Sequence, residues 1–184
     1  MRLVDEEAMR GKLPGFPLAG LITVIVDDER GDLEAGCLID TEDCRMLVAD
    51  VLTHEDLSER DFEVHVHLVD EEPIAALNLE HMGLEGPTDV LSFPIEDPVD
   101  LSLGSPSEVP LLLGDIVLCP TVAYRQAAEH AGDFDSEIAL LLVHGVLHLL
   151  GYDHAVPDDE AVMRERERLH LARYMGDRHG GPHL

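Results

Sequence analysis

The sequence contains no tryptophan and only three tyrosines and four phenylalanines, so its core must be built mainly from aliphatic side chains. Cationic residues are also scarce: 12 Lys and Arg stand against 39 Asp and Glu, a formal charge of −27. Phosphate contacts are made chiefly by Lys and Arg, so this balance excludes a broad basic patch and leaves any nucleic-acid contact local. The acidity itself reads as a solubilising surface, suited to a salty medium that screens self-repulsion. Cys37, Cys44 and Cys119 are too few, and odd in number, for a disulfide-stapled secreted domain, which points to a reducing cytoplasm. No apolar run approaches the roughly 18 residues of a membrane span. The opening MRLVDEEAMRGKLPGFPLAG has acids where a secretory leader is basic. A soluble, cytoplasmic protein with no membrane partner is the expectation.

What is present is globular in character: 184 residues, 45% hydrophobic and 28% charged, suit one domain. Gly11, Pro14, Gly15, Pro17 and Gly20 punctuate residues 1–20, read as a flexible N-terminal extension. The domain proper is expected over 21–174, with 175–184 a disordered tail. LITVIV, Leu21 to Val26, is a β-branched run that predicts a strand, and Thr41 to Leu52 has helical spacing. From Phe62 to Leu68 apolar residues alternate with Glu63, His65 and His67, the period of a half-buried strand. His65 and His67 therefore face outward. A metal reading of that pair is possible, but with no third partner nearby they read as an exposed strand face.

EEPIAALNLEHMG reads as a helix with Pro73 in its first turn and Gly83 as its stop. GPTDVLSFP returns to extended structure. A Pro-, Ser- and Asp-rich loop spans Pro94 to Pro110, and Leu111 to Leu118 forms a strand able to pair with the one before the loop. Helices are expected over Thr121–Ala131, Asp135–Leu150 and Asp158–Tyr174. The fold class is α+β: a mixed sheet of about four strands with helices mainly on one side.

The chemistry is concentrated in HGVLHLLGYDH, from His144 to His154. His144 and His148 are four residues apart and share one helix face, so two imidazole nitrogens can point at one ion. Gly151 offers a stop where positive φ carries no penalty, letting the chain turn and bring His154 to the same point. Three histidines in this HxxxHxxGxxH pattern predict a zincin-like site for one Zn2+ per chain, with a fourth position left for water. Nickel and copper suit the same ligands. Asp153 could orient a ligand ring or stand as an exposed turn aspartate, and Glu137, two turns before His144 on roughly the same helix face, is a weaker candidate for such support. The metzincin peptidases share the spacing but carry Glu directly after the first His as general base. Here that residue is Gly145, and its absence removes about two to four powers of ten in rate from peptide hydrolysis.

HGVLHLLGYDH, together with GPTDVLSFP (Gly86–Pro94) and GDIVLCP (Gly114–Pro120), resembles the bacterial YbeY family. The likeness runs from about Leu21 to Tyr174, and Leu77, Asn78, Gln126, Ala127 and Glu137 also fall where that family's pattern would put them. The resemblance implies a zinc-dependent, single-strand-specific endoribonuclease acting in maturation of ribosomal RNA, at the 3′ end of small-subunit RNA, and in ribosome quality control. It implies metal ligands at His144, His148 and His154 and a cleft bordered by Thr88 to Phe93. Its partners would be single-stranded ribosomal RNA and the ribosome or its proteins, not DNA. One departure stands out: many family members carry an Arg, suited to RNA phosphate, where this chain has Met82. Arg164, Arg166, Arg168 and Arg173 form the densest basic group, but interleaved Glu165 and Glu167 make it read as a solvated helix face. The alternatives are a non-enzymatic, metal-stabilised ribosome-assembly factor and, more weakly, a metallopeptidase.

Overall fold

The computed structural model describes residues 20–31, 36–55, 57, 61–95, 109–154 and 156–179. The expected extension, apart from Gly20, most of the loop from Pro94 to Pro110, and 180–184 of the expected tail lie outside these residues. The elements run β1 (Ile22–Asp28), α1 (Thr41–Thr53), β2 (Phe62–Leu68), α2 (Glu71–Met82), β3 (Val90–Pro94), β4 (Leu111–Leu118), α3 (Pro120–Gln126), α4 (Phe134–Leu149) and α5 (Pro157–His179). The strands form one mixed sheet in the order β1-β2-β4-β3. β1 and β4 flank β2 in parallel, while β3 returns antiparallel to β4 across the connecting loop.

Local chemistry sets the element ends. The Asp40 side chain caps α1 by accepting from the amides of Glu42 and Asp43, and Asp133 caps α4 by accepting from Ser136. α3 is shorter than the expected Thr121–Ala131 and ends at Gln126; beyond it the Gly132 amide donates to Ala127 O (2.7 Å) and the Ala131 amide to the Glu137 carboxylate (3.2 Å). α5 runs past Tyr174 to His179, so its last turn occupies part of the segment expected as a disordered tail. None of the helices among the described residues is long and apolar enough to cross a membrane.

The main core lies on one face of the sheet, where Val64, Val66, Ile116 and Leu118 meet Leu47 and Val51 of α1, Leu142 and Val146 of α4, and Met163 of α5. Ile74 of α2 packs with Leu91 and Val117 on the opposite face, near the β3–β4 edge. β4 carries an irregularity: Glu63 pairs with Leu112, but Val64 pairs with Gly114. Leu113 is thus an extra residue in β4, and everything after it changes face relative to an unbroken ladder. Gly114, at φ +146°, follows the bulge; a Cβ there would lie 2.2 Å from the Phe93 carbonyl oxygen, so only glycine lets β3 approach.

Candidate metal centre

α4 is buried almost all round. From Glu137 to its end, only Leu140, His144 and His148 are half-exposed, at spacing i, i+4, i+8. Packing against α1, the sheet and α5 therefore leaves one open stripe, and the two histidines occupy it. The helix closes in a Schellman motif: Tyr152 N–H donates to Leu147 O and Gly151 N–H to His148 O, each at 3.0 Å, with Gly151 at φ +87°. This reversal returns the chain over the stripe. The His154 ring centroid lies 5.8 Å from that of His144 and 5.1 Å from that of His148.

One ligand nitrogen from each of the three histidines falls within 4.8 Å of the other two, a spacing that could hold a metal ion. The Nε2 atoms of His144 and His148 are 3.1 Å apart. Two nitrogens bound tetrahedrally at about 2.0–2.1 Å are separated by about 3.4 Å, so little movement would be needed. His144 Nδ1–H donates to Oε1 of Glu167 at 2.8 Å, which fixes the tautomer and leaves the Nε2 lone pair facing His148. Burial, followed by the neighbouring His144 and His154, lowers the His148 pKa and favours the neutral ligand form.

A cleft of about 480 Å³ opens beside the cluster, lined in part by His144, His154, Asp89, Val90, His130 and Glu137. Arg164 is the only Arg or Lys among its described lining residues, and it pairs with Glu160. Met82 is exposed and does not line the cleft. Gly145, the position of the peptidase Glu, faces away from it: a Cβ there would lie 3.0 Å from Ile116 Cγ2 and 3.2 Å from Ser92 Oγ. A carboxylate at 145 would be driven into the sheet.

Neither of the two nearby carboxylates that the sequence offers as a support reaches a ring of the cluster. Glu137 is buried and engages His130 Nδ1 (3.0 Å) and the Ala131 amide rather than a triad histidine. Asp153 accepts from the His154 backbone amide (2.7 Å), not from a ring. The carboxylate that does reach a ring of the cluster is Glu167, whose place in the alternating RERER segment of α5 conceals it as one more surface charge. The basic group on α5 is likewise not uniformly solvated: Arg166 is drawn onto Tyr152 and the buried Glu55, which also holds buried His170. The HxH pair of β2 does have a third neighbour, Asp115 of β4, contrary to its reading as a bare strand face.

The model of the family described as Endoribonuclease YbeY matches residues 33–175, most of the chain and all of the cluster. The chain belongs to the YbeY family. A YbeY relative from Frankia casuarinae is 48% identical over 116 residues, covering 62% of this chain and 58% of that protein. One from Cutibacterium acnes is 53% identical over 102 residues, covering 55% of this chain and 64% of its own length. Both are named Endoribonuclease YbeY, and the matched region spans less than two thirds of each. The solution structure of TM1509 from Thermotoga maritima resembles the fold at a TM-score of 0.51 and 27% identity, covering 88% of this chain and 94% of that one. The YbeY architecture in this chain is thus α+β, with four strands in a mixed sheet and five helices among the described residues.

Proposed function

We propose that this protein is a zinc-dependent, single-strand-specific endoribonuclease acting in ribosomal RNA maturation, at the 3′ end of small-subunit RNA, and in ribosome quality control. The observation carrying this reading is the three-histidine cluster beside a nucleotide-sized cleft in a YbeY chain. His144, His148 and His154 would hold one zinc ion; three imidazoles with an open fourth position are a catalytic rather than structural ligand set. When bound, zinc supplies a Lewis acid to a phosphoryl oxygen and lowers the pKa of a water molecule.

The chain's own residues bind and orient. Glu167 keeps His144 in the tautomer that presents Nε2 to the site. Arg164 offers the cleft a guanidinium for phosphate, taking the part for which Met82 is unsuited. His130, whose pKa is raised by its hydrogen bond to Glu137 and by that residue's charge, adds positive character on the cleft wall. Asp89, Glu137, Glu160 and Glu167 oppose a polyanion on the same wall, so a short unstacked segment is accommodated better than a duplex. These residues act in the cytoplasm, on RNA carried by the ribosome.

The test compares wild type with His144→Ala on structured and unstructured RNA at equal metal content. Metal-dependent cleavage confined to unstructured RNA and lost in the variant is expected; no metal-dependent cleavage by wild type overturns the assignment. Product ends define the attacking group, since attack by the RNA 2′-hydroxyl must pass through a 2′,3′-cyclic phosphate. The acidic cleft wall favours a second reading, a ribosome-assembly protein in which metal only stabilises the fold. Stable ribosome association without RNA cleavage would establish it.

A further inference from the structure

On the sheet face away from α4, His65 and His67 of β2 stand beside Asp115 of β4, and one ligand atom from each lies within 4.8 Å of the other two. The bulge at Leu113 creates the group: it brings Asp115 into register with His65, whereas an unbroken ladder would set it opposite Val66 and turn its side chain toward the core. The three side chains are half-buried, between 25% and 33% exposed, so a ligand can reach them without opening the fold.

The contacts around the two rings call for positive charge among the three atoms, supplied either by ring protons or by a bound metal ion. His67 Nδ1–H donates to Oε1 of Glu29 at 2.7 Å, leaving Nε2 3.1 Å from Oδ1 of Asp115. His65 Nε2–H donates to Oε1 of Glu63 at 2.9 Å, leaving Nδ1 3.8 Å from the same Asp115 oxygen. Each ring therefore has its outer nitrogen backed by a glutamate and its inner nitrogen turned toward one carboxylate oxygen. In the neutral rings both inner nitrogens present lone pairs to that oxygen, an arrangement that repels unless positive charge sits among the three atoms. A glutamate behind each ligating histidine is the usual support of a metal-bound imidazole, and Glu167 behind His144 repeats it in the other cluster. The separations of 3.1 and 3.8 Å bracket the roughly 3.4 Å edge of a tetrahedral zinc site.

We propose that His65, His67 and Asp115 form a second metal site, selective for divalent transition ions of the zinc class, which cross-links β2 to β4. Two nitrogens and one carboxylate suit such an ion better than calcium or magnesium, which take oxygen ligands. Glu29 and Glu63 hold the rings, and solvent completes the coordination. The site is independent of the ribonuclease assignment, because it lies across the sheet from His144 and shares no residue with that cluster.

The experiment uses the full chain without an affinity tag, stripped with chelator, equilibrated with excess zinc, freed of unbound ion by gel filtration and assayed by elemental analysis. About two zinc ions per chain are expected for wild type and about one for Asp115→Asn or His65→Ala/His67→Ala, on tetrahedral three-ligand sites. His144→Ala/His148→Ala should also retain about one, and combining it with Asp115→Asn should leave essentially none. Asp115→Asn keeps the side-chain shape, and its circular dichroism at native temperature verifies the fold. Zinc should raise the melting temperature of His144→Ala/His148→Ala but not of the combined variant. One zinc per wild-type chain, lost entirely on changing His144 and His148, would overturn the proposal and leave protons as the charge between the rings and Asp115. A second zinc that survives Asp115→Asn and His65→Ala/His67→Ala would overturn it equally, by placing that ion elsewhere.

Discussion

His144 and Glu167 lie 23 positions apart in sequence and meet at 2.8 Å, Nδ1 to Oε1, so α5 directly controls the orientation of a ring carried by α4. The contact makes Glu167 a positioning residue. Glu167→Gln should weaken zinc affinity at the cluster and RNA cleavage together, by about 10- to 100-fold. Isothermal titration with zinc and cleavage measured at saturating zinc separate the effects: cleavage should recover substantially once the ion is bound. Unchanged affinity would remove Glu167 from this role.

Gly145→Ala places a methyl group 3.0 Å from Ile116 Cγ2 in a closed layer between α4 and β4. Overpacking of this kind costs about 1–3 kcal/mol, offset in part by the roughly 1 kcal/mol that Ala gains over Gly inside a helix. A lowered midpoint in urea, with an unchanged m-value, is the expected outcome. Gly145→Glu should be more destabilising still and should not hydrolyse casein, because its carboxylate cannot reach the cleft.

Glu55 accepts hydrogen bonds from the Tyr152 hydroxyl (2.9 Å), Arg166 (3.2 Å) and His170 (2.6 Å), with its own side chain and that of His170 only 4% exposed. The group ties the end of α1 and α5 to the turn carrying His154. Glu55→Ala removes the acceptor but leaves the donors in place, so it should cost about 3–5 kcal/mol in chemical denaturation. A loss below 1 kcal/mol would show water substituting for the carboxylate.

His130 should titrate above its ordinary value of 6.5, because the hydrogen bond and charge of buried Glu137 favour its protonated form. The sign follows from linkage: its stabilising contribution is complete below the unfolded pKa and is lost as pH rises through the folded one. An NMR titration of the His130 ring should show the raised value in wild type and a return toward 6.5 in Glu137→Gln.

Cys44 is buried in the core, and burial, with Asp43 and Asp40 nearby, pushes its thiol up to about 12. The thiolate is the reactive species. Iodoacetamide at neutral pH should therefore leave Cys44 unmodified in the native protein and alkylate it after denaturation, as read by peptide mass spectrometry.

The three-histidine group was legible because its information is local. A four-residue helical repeat and a glycine reversal place His144, His148 and His154 together through hydrogen bonds that span only a few residues. The same locality made β2, α2 and the β3–β4 pairing readable from period and punctuation. Glu137 and Asp153 show where proximity in sequence misleads: both lie near the three histidines along the chain, yet backbone amides and His130 claim their carboxylates. The absence of a base at position 145 was plain from the sequence, but the reason, a helix face pressed on Ile116, was not.

By itself the sequence determined the aliphatic core, the acidic surface, the order of strands and helices along the chain, and the histidine cluster at the end of α4, since each depends on composition or on spacing over a few neighbouring residues. Tertiary structure alone decided which distant carboxylate supports which ring. Glu167 reaches His144 because α5 packs across α4, and Asp115 reaches His65 and His67 because one extra residue in β4 reverses its face. Periodicity fixes a side chain's direction relative to its own element, whereas these contacts depend on how separate elements pack and register.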